Sequence, residues 1–140
     1  MKNIFIASDH AGYNLKKYII SKFSKKNKVV DLGPKISLPV DYPDFAKKLS
    51  KKIASKKGSF GILVCGSGMG MAIAANKTKK ARAALCYSVK NTKLSRLHNN
   101  ANIITLGERL IKKNKAFSLI KIFLSTKFEG GRHLRRVRKI

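Results

Sequence analysis

Residues 64–76 read Val64-Cys65-Gly66-Ser67-Gly68-Met69-Gly70-Met71-Ala72-Ile73-Ala74-Ala75-Asn76. An apolar run ends in a thiol, a glycine-rich turn follows, and an Ala-rich segment opens, which predicts strand, loop and helix. A reactive group at such a junction lies beside backbone N–H groups without helical acceptors and at the positive end of a helix dipole, and both favour negative charge. A thiol in this setting is drawn toward the thiolate, able to act as base or nucleophile. The neighbouring amides suit an enediolate oxygen in the manner of an oxyanion hole.

Other glycine-loop chemistries fail residue by residue. A P-loop needs Gly-Lys-Ser/Thr, which is absent after Gly66. A dinucleotide fingerprint needs its third glycine where Met71 stands and an acidic residue about twenty positions on, whereas no acid occurs between Asp44 and Glu108. A cysteine phosphatase of the Cys-x5-Arg type would need arginine at Met71. What remains is a thiol, histidines, an aspartate and arginines around a loop of free amides, a set suited to proton transfer on a small phosphorylated molecule.

The elements that must position these groups alternate along the chain. Short apolar runs at 3–8, 28–31, 60–64, 81–85 and 102–106 predict strands of the kind a parallel sheet buries on both faces. Between them, helical stripes recur: Leu15, Tyr18, Ile19 and Phe23; Tyr42, Phe45, Ala46, Leu49 and Ile53; Ala116, Leu119, Ile120, Phe123 and Leu124. These are core stripes. The expected fold is α/β, a Rossmann-like three-layer αβα sandwich around a five-stranded parallel sheet, forming one domain over 1–140 with a C-terminal arm at 127–140.

Ligands of such sheets collect outside the carboxyl ends of the strands. That edge should gather Asp9 and His10, then Cys65 to Gly70, Tyr87, and Gly107 to Arg109. A helix from about Ser88 would add Arg96, His98 and Asn99 near its end. The tail Glu129-Gly130-Gly131-Arg132-His133-Leu134-Arg135-Arg136-Val137-Arg138 supplies most of the arginines, and Arg132 and Arg136 are i,i+4 neighbours on a helix, placed to grip one phosphate.

Composition bounds the remaining classes. At 140 residues and 44% hydrophobic content the chain supports one well-buried core. No signal-peptide core or run of about 20 apolar residues occurs, so a cytoplasmic, membrane-free protein is expected. Cys65 and Cys86 lack Cys-x-x-Cys spacing and read as free thiols, Cys86 as ordinary packing. The net charge of +26 is carried mostly by lysines, such as Lys47-Lys48, Lys51-Lys52 and Lys56-Lys57 on an outer helix face. It is read as a solvated face with at most non-specific affinity for nucleic acid; a polyanion-binding protein that keeps the fold is the competing class.

Five segments resemble the ribose-5-phosphate isomerase B family, the RpiB/LacAB sugar-phosphate isomerases. They are Ser8-Asp9-His10-Ala11-Gly12, Val40-Asp41-Tyr42-Pro43-Asp44, Cys65-Gly66-Ser67-Gly68-Met69-Gly70, Ser95-Arg96-Leu97-His98-Asn99-Asn100-Ala101-Asn102 and Phe128-Glu129-Gly130-Gly131-Arg132-His133. The resemblance implies reversible conversion of ribose 5-phosphate to ribulose 5-phosphate through a cis-enediolate, a step of the pentose phosphate pathway, with no metal or organic cofactor. It implies Cys65 as the proton-abstracting base, His98 as the ring-opening acid and Asp9 as its helper on the sugar hydroxyls. Ser67 stands where threonine is common and would shuttle a proton between O1 and O2. Amides of Gly66, Ser67, Gly68, Met69 and Gly70 would hold the enediolate, and Asn99 the open-chain sugar. Tyr42 either closes over the sugar or anchors its helix. His10, Arg109, Arg132 and Arg136 match the phosphate-binding set. The resemblance further implies a homo-oligomer, dimer or tetramer, with tail arginines reaching into the neighbour's site. A hexose 6-phosphate isomerase of the allose or galactose type is the sibling alternative. His133 reads as structural or peripheral, and Arg135 and Arg138 as turned away.

Overall fold

The computed structural model describes residues 1–140. Its elements follow the order β1 Asn3–Ser8, α1 Tyr13–Phe23, β2 Lys28–Asp31, α2 Tyr42–Ser55, β3 Phe60–Cys65, α3 Met69–Ala75, β4 Ala83–Leu85, α4 Val89–Leu97, β5 Ile103–Gly107, α5 Lys113–Ser125 and α6 Arg132–Val137. The strands form one parallel sheet in the order β2-β1-β3-β5-β4. The order reverses between β1 and β3, so a crevice opens beyond their carboxyl ends.

Strand alternation sorts the core into two layers. Ile4, Ile6, Ile62, Val64, Ile104 and Leu106 pack with the stripes of α1 and α5. Phe5, Ala7, Leu63, Cys65 and Ile103 point the other way, against Ala46, Leu49 and Ile53 of α2 and Met71 and Ala75 of α3. Successive side chains of a strand face opposite sides, so β1, β3 and β5 are apolar on both faces because helices cover both, with Ser8 and Thr105 as buried polar exceptions. The edge strands β2 and β4 are only half-buried.

Several boundaries differ from the sequence pattern. β4 begins at Ala83 because Ala81 closes a turn on the Thr78 carbonyl, while the Arg82 N–H donates to the Asn102 side chain at 2.8 Å. β3 runs one residue further, to Cys65, and β5 to Gly107. Tyr42 departs from its stripe: it lies exposed in the first turn of α2 rather than in the core.

Lys16 is a buried charge that periodicity did not flag. It is 1% exposed, and its Nζ donates to Asp31 Oδ1 at 2.9 Å, Oδ2 at 3.0 Å and the Pro34 carbonyl. Asp31 also accepts the Gly33 N–H at 2.8 Å, so one ion pair ties α1 to the end of β2 and the loop that follows.

Candidate active site

At the carboxyl edge, Asp9 is buried just past β1, and its Oδ1 accepts the Gly12 N–H at 3.0 Å. Gly12 is required there, since a Cβ would stand 2.6 Å from the carbonyl carbon of Val64. His10 is exposed. The Val40 N–H donates to its Nδ1 at 3.2 Å. The neutral ring therefore carries its proton on Nε2, a donor free for an anion.

Cys65 ends β3 and is 4% exposed, and its Sγ accepts the Gly68 N–H at 3.1 Å. The Ser67 hydroxyl accepts the Met69 N–H at 3.2 Å. The N–H groups of Gly66, Ser67, Gly70 and Met71 donate to no acceptor in the chain. Two of the five expected enediolate donors, Gly68 and Met69, are thus committed to the thiol and the hydroxyl.

Contacts across β5 hold this loop in shape. Gly68 takes φ +79°, and a Cβ there would meet Leu106 backbone at 2.9 Å; one on Gly107 would meet Ser67 backbone at 2.7 Å. The Glu108 N–H donates to the Cys65 carbonyl at 2.9 Å and the Arg109 N–H to the Gly66 carbonyl at 3.1 Å. Arg109 runs over Gly66, and the Tyr42 ring lies where a Gly70 Cβ would be. Tyr42, Cys65, Ser67 and Arg109 line one cavity of about 390 Å³.

Glu108, beside Arg109 just past the end of β5, is a neighbour of the site that no motif singles out. Its carboxylate accepts the Leu15 N–H and so caps α1, which has no acid in its first turn. Burial raises its pKa above the ordinary carboxylate value, and Asp9 adds to the rise, against the Leu15 N–H and Arg109. The available signal was its position at a strand end, directly after Gly107.

His98, Asn99, Arg132 and Arg136 do not join this group within one chain. A helix that follows a parallel strand runs back along the sheet, so the far end of α4 lies at the amino edge. Three contacts show this: Arg96 stacks on Phe60, the first residue of β3, at 5.1 Å; the Gly61 N–H donates to the Asn102 carbonyl; and the Glu129 N–H donates to the Leu97 carbonyl. Five residue steps along β3, at about 3.3 Å each, separate the two edges by roughly 16 Å. The expectation of one shared edge is corrected, and the direction of the helix would have revealed it. Arg96 is also no site residue: it is buried, with its Nε and Nη1 bonded to Thr126, Asn100 and Ala101.

The amino-edge group has its own order. The His98 and His133 rings stack at 4.1 Å and 13°, with Glu129 Oε2 at 3.9 and 4.0 Å from their Nε2 atoms. His133 is therefore not peripheral; it is buried, and its Nε2 has no hydrogen-bond partner. Burial lowers its pKa most, and His98, Arg132 and Arg136 lower it further, against Glu129. The three side chains bring possible metal-ligand atoms within 4.8 Å of one another. Nearly parallel stacked rings, however, keep their in-plane lone pairs in two separate planes that do not converge on one ion. Arg132 and Arg136 are exposed one turn apart on α6.

The family model described as Ribose/Galactose Isomerase matches residues 4–140. Ribose-5-phosphate isomerase B of Escherichia coli is 36% identical over 141 residues, covering 100% of this chain and 95% of the relative. A solved ribose 5-phosphate isomerase from Thermotoga maritima superposes with a TM-score of 0.95 at 49% identity, covering 99% of this chain and 96% of that one. Ribose-5-phosphate isomerase B from Mycoplasma genitalium, solved with bound ribulose-5-phosphate, gives a TM-score of 0.94 at 45% identity, covering 98% of this chain and 92% of that one.

Proposed function

The chain belongs to the ribose/galactose isomerase family, and we propose that Cys65 is the base of its reaction, the reversible conversion of ribose 5-phosphate to ribulose 5-phosphate. The observation that carries this assignment is the Cys65 thiol, held by the Gly68 N–H in a cavity it shares with Ser67, Arg109 and Tyr42.

The reaction begins on the closed furanose. His98 gives a proton to the ring oxygen while Asp9 holds the sugar hydroxyls, and the ring opens to the aldehyde. The Cys65 thiolate then removes the C2 proton, and the electron pair moves onto O1 to form a cis-enediolate. The N–H groups of Gly66, Ser67 and Gly70 lack protein acceptors and face that charge; one such donor is worth about 3 kcal/mol of barrier. The Ser67 hydroxyl passes a proton between O1 and O2, and the Cys65 thiol returns its proton to C1. His10 Nε2–H, Arg109, Arg132 and Arg136 hold the phosphate, with Asn99 on the open chain and Tyr42 closing the cavity beside Gly70.

This scheme needs two copies of the chain. Asp9, His10, Cys65, Ser67 and Arg109 occupy one edge of the sheet and His98, Asn99, Arg132 and Arg136 the other, so each site takes its second group from a neighbour in a homo-oligomer. The exposed apolar side chains of Met69, Ile73, Tyr87 and Val89, around the carboxyl ends of β3 and β4, support a partner face there. No helix is long and apolar enough to cross a membrane. The enzyme works in the cytoplasm, a reading supported by its two free cysteines.

Cys65→Ala is expected to abolish both isomerisation and exchange of the C2 proton in deuterated water, while binding of a phosphate ester persists. Turnover retained in that variant would overturn the base assignment. Parallel assays on ribose 5-phosphate, allose 6-phosphate and galactose 6-phosphate define the chain-length preference.

A further inference from the structure

A second basic cavity, of about 510 Å³, lies at the amino edge between the end of α2, the turn into β3 and the residues around β4 and α4. Lys56, Lys57, Lys80, Arg82 and Arg96 line it, and no carboxylate does. The Nε of Arg82 donates to the Asn100 carbonyl at 2.9 Å, and its two terminal nitrogens donate to nothing in the chain. Arg96 is 8% exposed and packs against Phe60 and Phe123 at 5.1 and 5.5 Å, with its Nε and Nη1 held by Thr126, Asn100 and Ala101 so that only Nη2 is free.

Neither guanidinium has an acidic partner, since the ion pairs of the chain join Lys16 to Asp31 and the two histidines to Glu129. Burial lowers the pKa of both arginines, and the charge of Arg82 lowers that of Arg96 further. A buried cation is costly unless paired, as Lys16 shows by its bonds to Asp31. Lys80 and Asn100, both in the cavity wall, are also the two non-glycine residues with positive φ, at 71° and 47°. Such backbone is uncommon for side-chain-bearing residues and persists where the surroundings enforce it.

The four-lysine face of α2, Lys47, Lys48, Lys51 and Lys52, provides a contrast. It is as densely charged, and its lysines are exposed like Lys56, Lys57 and Lys80, but Asp44 stands among them and no arginine contributes. Charge density alone therefore does not distinguish the amino-edge cavity; the free terminal nitrogens of Arg82 and the absence of a carboxylate do. Its volume falls in the range of small-ligand sites and exceeds what a single orthophosphate fills. Arginine forks match phosphate oxygens in bidentate geometry, and the surrounding lysines add point charges. We propose that this cavity binds a small multivalent anion of the polyphosphate class, gripped by the free terminal nitrogens of Arg82 and ringed by Lys56, Lys57 and Lys80, with Arg96 adding its buried charge to the wall.

The test titrates the intact protein with inorganic tripolyphosphate at near-physiological salt. An equilibrium mixture of ribose and ribulose 5-phosphate keeps the other phosphate site occupied. Binding is expected at one tripolyphosphate per chain, with movement of the Arg82 Nε–H signal in nitrogen-15 spectra. A Lys57→Gln/Lys80→Gln double variant should weaken binding about tenfold or more, and Arg82→Gln should remove it. Lys47→Gln/Lys51→Gln on the outer face of α2 should leave it within about twofold. Equal weakening by the two lysine pairs would show diffuse attraction to a +26 chain and overturn the proposal. So would an absence of binding, or binding that leaves the Arg82 signal unmoved. Should Arg82→Gln fail to fold, the comparison of the two lysine pairs decides.

Discussion

Glu108 joins two parts of the molecule through one carboxylate. Because burial raises its pKa, the folded chain holds this proton more tightly than the unfolded chain. Stability from the group is therefore fully present below the unfolded pKa and is lost as pH rises through the higher folded value. Glu108→Gln keeps an acceptor for the Leu15 N–H and removes the charge. The variant is expected to match or exceed the parent in stability near pH 7, an advantage that shrinks to nothing near pH 3, where both chains are neutral at this position. Urea unfolding at the two pH values measures this, and a less stable variant near pH 7 would show that the carboxylate's attraction to the start of α1 outweighs its burial. Cys86 provides the opposite case of a group with no task. Burial raises its pKa, hydrogen bonds from Thr92 and Ser95 oppose the rise only in part, and the thiol stays protonated and inert. Cys65 and Ser67 were legible in the sequence because their loop is contiguous. Glu108 and Leu15, 93 residues apart, were not.

The elements carry the site through a few enforced contacts. Strand order and helical stripes were readable because buried strands and amphipathic helices impose periods of two and 3.6 on the chain. Lys16 escaped that reading, since a lysine in a helix stripe looks like an exposed residue until its partner on β2 is known. Its ion pair with Asp31 is asymmetric, at 1% and 35% side-chain exposure. Removing the more exposed member strands a buried ammonium, whereas removing the ammonium leaves a carboxylate that water already reaches. Asp31→Asn is accordingly expected to cost roughly 3 kcal/mol or more, and Lys16→Met distinctly less. Chemical denaturation of the two variants checks the order. The reverse order would mean that the bond from Asp31 to the Gly33 N–H, rather than the buried charge, dominates this junction.

Across the whole molecule, six acidic residues stand against 32 lysines and arginines, and four of the six hold specific partners. Asp9 shapes the turn after β1, Asp31 neutralises Lys16, Glu108 caps α1, and Glu129 faces the Nε2 atoms of two stacked histidines. Charge therefore marks position more sharply on the scarce acids than on the abundant lysines. The separation of the candidate residues onto opposite sheet edges gives a prediction at this scale. Cys65→Ala and His98→Asn should each be inactive alone. Co-expressed in equal amount they should regain about a quarter of parental activity if the proposed assembly is a two-fold dimer, since half of such dimers would be mixed and each mixed dimer would hold one intact site. Activity of the mixture no higher than that of either single variant would overturn the shared site.

By itself the sequence determined the βα order, the two-sided burial of the central strands, and the thiol beside a loop of free amides. Each of these depends on neighbouring residues and local periodicity. Only the tertiary structure decided which edge His98 occupies, that Gly68 and Met69 spend their amides on Cys65 and Ser67, that His133 stacks on His98, and that Arg82 and Arg96 share a cavity without a carboxylate. Those facts depend on the direction in which helices return and on contacts between distant segments, and both are set by packing against the sheet.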